Sequence, residues 1–221
     1  MGREEGRRQG RRQRVADDLT GTKSESPTDR ALRRAGWVAL GLVKAATIAF
    51  TLESVLWPDQ PKYKGKAMRI RSLGYFGGLA LVPVVWLAGD RAQPYPVAAD
   101  LAMSTPLLID ASGNSLGIYD EARVDDVVHF LNAAVLSALF GAVISSRTKS
   151  REAAAAATLA FGLAGELGFD AMEYAAERIG FNGLGLSAED TIADTALAAL
   201  GTSLAAIVTW ARWKPRRATA P

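Results

Sequence analysis

The chain has 221 residues, a length that suits one compact helical bundle. It contains no cysteine, which excludes disulfides, thiolate zinc sites and cysteine nucleophiles. The formal net charge of +3 comes from the terminal tails and loops rather than from one basic face, so we expect no nucleic-acid partner.

The N-terminal segment, Met1–Arg34, is basic and has almost no large apolar side chains. It contains ten Lys/Arg residues. Because so little apolar surface cannot offset the entropy lost on ordering, we predict a disordered basic tail over residues 1–34. A signal peptide is disfavoured, since the apolar run behind this segment is too long and lacks a small-residue cleavage site.

Six largely apolar segments follow, and crossing a membrane as a helix takes about 20 such residues. They predict an all-α fold, a polytopic membrane bundle of about six transmembrane helices within residues 35–213. In the second span, Gly74 and Gly78 form a G-x-x-x-G pair that would let another helix approach closely. The predicted spans are 35–57, 73–89, 94–117, 124–145, 152–177 and 190–211, and residues 214–221 form a short basic tail.

The segment 94–117 is the least regular of the six. It contains Asp100, Pro106 and Asp110, which predicts either a kinked span or a re-entrant half-helix. The basic loop 146–151 and both basic tails favour cytoplasmic termini, which require an even number of spans, so we count this segment as a span. The resulting topology leaves five basic residues outside, against the positive-inside rule: Lys62, Lys64, Lys66, Arg69 and Arg71.

The fourth span begins with two aspartates and the only histidine of the chain. Asp125, Asp126 and His129 share one helical face. A carboxylate beside an imidazole fixes the tautomer and raises basicity, which suits a metal ligand or a proton acceptor. Acids at a helix start are also stabilised by the helix dipole. We favour function for His129 and Asp126, whereas the two explanations are equally supported for Asp125.

The fifth span carries an acidic stripe, with Glu166, Asp170, Glu173 and Glu177 on one side of an Ala/Gly/Leu-rich helix. A carboxylate near the bilayer centre costs ~2.5–3.5 kcal/mol on insertion scales. We therefore expect these acids to face the bundle interior. Glu177 is the exception, because it lies at the boundary beside Arg178 and is interpreted as solvated.

The sixth span begins with Ser187 and Asp190, which resemble a capping box. For Asp190, capping and function are equally supported. Asp194 lies one turn deeper, where a capping role does not apply. Thr191 and Thr195 are expected to hydrogen-bond to their own helix backbone.

Taken together, ten acids lie within or at the edges of the spans, against two basic groups, Lys44 and His129. We expect internal salt bridges to be too few to balance them, so that protonation, a bound cation or a water-filled cavity relieves the excess. Several of the acids lie toward the outer helix ends, which predicts a polar cavity open to the outer face. The ten acids are Glu53, Asp100, Asp110, Asp125, Asp126, Glu166, Asp170, Glu173, Asp190 and Asp194.

Several polar motifs occur in a recognisable order. They read P-x-x-x-A-A-D-L-x-x-x-x-P-L-L-x-D-x-x-G-N-x-L-G-x-Y-D, then D-D-V-V-H-F, D-A-M-E-Y and G-L-S-A-E-D-T-I-A-D-T, with Gly201 downstream. From about residue 94 to 201 the chain resembles the YjdF-like family of bacterial inner-membrane proteins. A looser likeness is to VanZ-like membrane proteins, which show a similar order of Asp-His, Glu and Asp.

The resemblance implies a multi-pass protein of the bacterial inner membrane and supplies no agreed activity. Asp170 stands where a glutamate is expected, which leaves its role open. By the resemblance, the family's polar positions correspond to Asp126, His129, Glu173, Asp190 and Asp194.

Three functions remain open from the sequence, so enzyme status is not decided at this point. The first is a membrane-embedded enzyme, in which Asp126, His129, Glu173 and Asp194 act as acid and base or hold a divalent metal over a lipid-linked or envelope substrate. The predicted metal ligands, Asp126, His129 and Glu173, suit magnesium, manganese or zinc.

The second function is a proton- or cation-coupled carrier, with Glu166, Asp170 and Asp190 along the pathway. The third is a non-catalytic scaffold tied by interhelical hydrogen bonds, each worth about 0.6 kcal/mol. The acid excess disfavours the scaffold, because such ties need donors and ionised carboxylates are only acceptors.

Overall fold

The computed structural model describes residues 26–64, 66–89, 92–119, 124–180 and 187–214, except the side chain of Asp190. Within these ranges the chain is all helical and has no strand, which confirms the predicted fold class. The predicted tail segments 1–25 and 215–221 lie outside the described residues. The six α-helices found there are α1 Pro27–Leu56, α2 Met68–Ala88, α3 Val97–Leu116, α4 Val124–Ser145, α5 Arg151–Arg178 and α6 Ala188–Arg212.

The chain divides into two compact units at Val38 and Ala39, a boundary that falls inside α1. The helix itself begins at Pro27, earlier than the predicted span. Its first turn is capped by Ser26, whose hydroxyl oxygen accepts from the backbone N–H of Asp29 at 3.1 Å. Everything described below concerns the second unit.

Among the described helices, four are long and apolar enough to cross a membrane: α1, α2, α4 and residues Thr191–Arg212 of α6. The two others carry more polar residues. α3 is one uninterrupted helix of 20 residues with Pro106 inside it, about 30 Å long at 1.5 Å per residue. It therefore has the length of a span. Its polar face is buried against protein, with Asp100 and Asn114 fully shielded, and a helix so placed does not need to be apolar all round.

Helices α4, α5 and α6 pack closely on one another. Small residues make this approach feasible. A Cβ atom added to Gly201 of α6 would lie 2.3 Å from the carbonyl oxygen of Phe130 on α4, and one added to Gly162 of α5 would lie 2.3 Å from the hydroxyl oxygens of Ser137 and Thr202. The backbones of α6 and α4 are thus in near contact at Gly201, and small hydroxyl side chains of α4 and α6 fill the space beside Gly162.

Helices α2 and α3 form a second packed region around a cluster of buried side chains. Only one glycine of the predicted G-x-x-x-G pair lies against another helix. A Cβ on Gly78 would lie 2.7 Å from Leu107 of α3, whereas a Cβ on Gly74 would meet no atom within 4 Å. The cluster consists of Tyr63, Met68, Tyr75, Leu79, Leu107 and Ala111.

A glycine turn ends α3 and brings the chain toward α4. Gly117 has φ +73°, its N–H donates to the carbonyl of Asn114 at 3.2 Å, and the N–H of Ile118 donates to Gly113 at 3.0 Å. This is the left-handed helix ending that favours glycine. It directs Tyr119 inward, where the ring is buried against Val124 and Val128 at the start of α4.

Candidate functional site

Among the residues that the structure describes, three of the ten acids lie beside basic partners from other segments. The prediction counted only Lys44 and His129 as basic groups, so the structure adds Lys62 and Arg71 to them, and the ten acids still outnumber these four basic groups. Two of the partners, Lys62 and Arg71, belong to the five basic residues that the predicted topology leaves outside. The pairs are Lys44–Asp100 at 2.7 Å, Lys62–Glu53 at 2.5 Å and Arg71–Asp110 at 3.7 Å.

Arg71 links one of these ion pairs, the pair with Asp110, to the start of α4. Its Nη1 atom donates to the hydroxyl of Tyr119 at 3.0 Å and lies near Asp110, which also accepts from the Nδ2 of Asn114 at 3.0 Å. The Tyr119 hydroxyl in turn donates to Asp125. Burial raises the pKa of Tyr119 above its ordinary range, and the charge of Asp110 adds to the effect. The phenol therefore remains a proton donor.

His129 lies among acids from three helices. Its Nδ1 is 3.1 Å from Oε1 of Glu166 on α5. Its Nε2 is 3.7 Å from Oδ1 of Asp125, one turn earlier on α4, and 3.6 Å from Oδ2 of Asp194 on α6. The edge of the Phe169 ring faces the imidazole, with ring centres 6.3 Å apart. Three helices thus converge on one half-buried imidazole.

The two ring nitrogens of His129 have different surroundings. In the tautomer with its proton on Nδ1, the N–H donates to Glu166, and the lone pair of Nε2 is then available to a cation bound beside the two aspartates. Asp125, His129 and Asp194 each offer one ligand atom, and these atoms all lie within 4.8 Å of one another. A tetrahedral ion with bonds of about 2.0–2.1 Å holds its ligands about 3.3 Å apart. The two aspartate oxygens lie 3.7 and 3.6 Å from Nε2, which is near that value, so small side-chain movements would bring three of the four ligands of such a site into place.

A cavity of about 600 Å³ opens beside His129, between α2, α3, α4 and α5. One end is polar and the remainder of its wall is apolar. The polar end holds Arg71, Asp110, Tyr119, Asp125, His129, Glu166 and Glu173, and the apolar wall includes Leu73, Met103, Leu107, Leu136, Phe161, Phe169 and Met172.

The structure brings some of the predicted site residues together and places others apart. His129 and Asp194 meet as predicted, and Glu173 lines the same cavity. The position beside His129 that was predicted for Asp126 is taken by Asp125, while Asp126 is half-buried and is not among the cavity-lining residues.

The remaining predicted residues have separate surroundings. Asp170 lies 3.5 Å from the hydroxyl of Thr195, which donates at 2.7 Å to the carbonyl of Thr191. Thr191 likewise donates to the carbonyl of Ser187 at 3.0 Å. Both threonines bond to their own helix, as predicted. The side chain of Asp190 lies outside the described part of the chain.

Sequence reasoning did not place Arg71 or Tyr119 at this site, and it named Asp110 only as one of the ten acids and Glu166 as part of a proton or cation pathway rather than as a partner of His129. The i, i+4 spacing of Asp125 and His129 was a usable signal, because it puts both side chains on one face of α4. No comparable signal relates Glu166 to His129, since the two residues lie on different helices whose rotation about their axes is set only by packing.

The fold and the site together define a helical integral membrane protein with an acid- and histidine-lined cavity that is apolar over most of its wall. Residues 42–215 match the family described as "Predicted membrane protein (DUF2238)", and the chain belongs to that family. This membership supports the resemblance to the YjdF-like membrane proteins and leaves the looser VanZ likeness a prediction. No curated protein and no solved structure matches the chain.

Proposed function

We propose that this protein is a membrane-embedded, metal-dependent acid–base enzyme that acts on a lipid-linked or envelope substrate. The observation that carries the proposal is the convergence of Asp125, His129 and Asp194, with Glu166 on the second imidazole nitrogen, beside a largely apolar cavity. Within this proposal the chain spans the bacterial inner membrane, both termini are cytoplasmic, and the site lies in the outer half of the bilayer.

Each residue of the cluster has a role that its position supports. Asp125, His129 and Asp194 are the ligands, and mixed carboxylate and imidazole ligation suits zinc or manganese. Glu166 acts as a positioning residue, because a carboxylate on the far nitrogen orients a ligating histidine and raises its basicity. A bound divalent ion would polarise the substrate and lower the pKa of a water molecule on it.

Glu173 is the acid–base candidate of this enzyme. It faces the cavity and is not part of the ligand group, so it is available to exchange a proton with a substrate in the cavity.

Metal analysis of the full chain, purified in detergent, tests the proposal. We expect stoichiometric divalent metal in the wild type and loss of that metal in His129→Ala and in Asp194→Asn. Glu166→Gln should weaken metal affinity about 10–100-fold, as loss of an outer partner of a ligating histidine does. Glu177→Gln is the matched control on the same helix, and it should keep the wild-type metal content.

The competing assignments give different results in the same experiment. Metal retained in both His129→Ala and Asp194→Asn would contradict the proposal. Absence of metal from the wild type, combined with a pH-dependent ion flux in liposomes, would indicate a carrier. Neither metal nor flux in a folded protein would indicate a scaffold. Asp126→Asn tests the ligand that was predicted from the sequence. Because Asp125 lies beside His129 and is the ligand in this proposal, Asp126→Asn should keep the wild-type metal content.

A further inference from the structure

The cavity beside His129 is elongated and has a gradient of polarity. Along α4 its lining runs from Asp125 to Ser137, about 18 Å at the rise of an α-helix. The charged residues lie toward the Asp125 end, whereas Leu136 and Phe161 lie near the other. A space of this length with one polar end fits an amphiphile better than a compact polar metabolite.

The side of the cavity between α2 and α5 is rimmed by exposed apolar side chains. Leu73 on α2 is 70% exposed and Met172 on α5 is 55% exposed, and both line the cavity. In a membrane protein these side chains contact hydrocarbon. The cavity is therefore open toward the lipid, from which a chain-bearing molecule can enter sideways.

Two glycines keep this opening wide. Gly74 of α2 and Gly165 of α5 both line the cavity, and a Cβ atom added to either one would meet no atom within 4 Å. A larger side chain at either position would project into space rather than into a neighbouring helix. Neither glycine is required for helix packing, in contrast to Gly78 and Gly162.

The polar end of the cavity contains an unused donor. The two polar contacts of the Arg71 guanidinium, to Asp110 and to Tyr119, both use its Nη1 atom. Its Nε is buried and has no hydrogen-bond partner. Arginine presents Nε and a terminal nitrogen as a fork that matches an oxyanion such as phosphate.

We propose that the substrate is an amphiphile with a phosphate-type head group at Arg71 and one hydrocarbon chain between α2 and α5, in the space kept open by Gly74 and Gly165. The inference rests on the proposed function, since the head then lies beside the ligand cluster at His129. Arg71 and the bound divalent ion together supply the positive charge that an anion needs among the carboxylates.

Native mass spectrometry of the detergent-purified full chain tests the inference with three probes: a long-chain alkyl phosphate, its short-chain homologue and inorganic phosphate. The wild type should bind the long-chain probe most tightly. Gly74→Leu and Gly165→Leu should each weaken long-chain binding about tenfold, the effect of excluding roughly two methylene groups, without changing short-chain binding.

Matched controls exist one helical turn away on the same helices. A Cβ on Gly77 or on Gly168 also meets no atom within 4 Å, and neither residue lines the cavity. Gly77→Leu and Gly168→Leu should therefore bind all three probes as the wild type does. Equal weakening by the cavity and control variants, or no weakening by either cavity variant, would overturn the placement of the chain.

The head-group assignment is tested by Arg71→Lys, which keeps the positive charge for Asp110 and removes the fork. It should weaken both alkyl phosphates about tenfold and leave an uncharged alkyl glucoside of the same chain length unaffected. Unchanged alkyl phosphate binding would overturn this assignment, and inorganic phosphate binding as tight as the long-chain probe would show that free phosphate is the ligand. The same spectra report bound metal, so a failure of the proposed function is read separately from a failure of the amphiphile inference.

Discussion

The two halves of the helical region deal with buried acids in different ways. In α1–α3 and the loop between α1 and α2, Asp100, Glu53 and Asp110 each lie beside a lysine or arginine. In α4–α6, the acids near His129 have one imidazole between them. Both halves contain carboxylates that are too costly to leave alone in hydrocarbon.

The difference between the halves separates structural from functional charge. Asp100 is fully buried, and its cation is part of the chain, so the pair needs nothing from outside. Asp125 and Asp194 both approach one nitrogen of His129, an arrangement that a proton or an added cation would stabilise. Mutations of the acids in the first half are therefore expected to change stability, and mutations of the acids in the second half are expected to change ligand binding.

The largest expected effect is on the free energy of unfolding, from a change in helices α1–α3. Lys44→Met would leave Asp100 buried without its cation, and we expect a loss of about 3–5 kcal/mol in the free energy of unfolding. The measurement is unfolding of the purified protein in mixed micelles. The double variant Lys44→Met/Asp100→Leu should recover most of the loss, because the uncompensated charge is then gone. A Lys44→Met protein as stable as wild type would remove the structural role from this pair.

A smaller effect is expected for a variant that should change both stability and metal binding. In Gly201→Ala the new methyl group would meet the backbone oxygen of Phe130, so α6 must move away from α4. We expect a loss of about 1–3 kcal/mol in unfolding free energy, typical of overpacking. Metal affinity should fall as well, since Asp194 and His129 lie on the two separated helices. Gly168→Ala, with open space around it, is the control that should change neither quantity.

The smallest expected effect distinguishes the halves by its sign. Asp194→Asn removes one of the like charges around His129, so the metal-free protein should gain on the order of 1 kcal/mol in stability while losing metal binding. Asp100→Asn, in contrast, should lower stability because it leaves Lys44 without its carboxylate. Chemical unfolding in the presence of a chelator measures both. If both variants lost stability, the acids around His129 would be structural ties like those of the other half.

Much of the helical architecture followed from local pattern. The long apolar runs predicted helices close to α2, α4 and α6, and the spacing of Asp125 and His129 put them on one face before any tertiary information was used. The segment 94–117 was harder. Its acids made it look like a poor span, whereas in the structure it forms a continuous helix whose polar face is buried against neighbouring helices.

The ion pairs could not be predicted in the same way. Lys62 and Arg71 looked like loop charges that contradicted the positive-inside rule, whereas the structure shows each of them engaging a carboxylate of another helix. The positive-inside rule counts basic residues by position along the chain. It has no access to partners that lie 9 or more residues away and are reached only after the helices have packed.

What the sequence alone determined is the class of the molecule: an all-helical membrane protein with more acids than bases in its apolar segments and a single histidine among them. Only the tertiary structure decided which acids share that histidine, which ones have a cation of their own, and that a cavity opens between them. The physical reason is that helix periodicity is a local property of the chain. Charge compensation in a low-dielectric interior depends on through-space distances of a few ångströms between helices, and packing alone sets those distances.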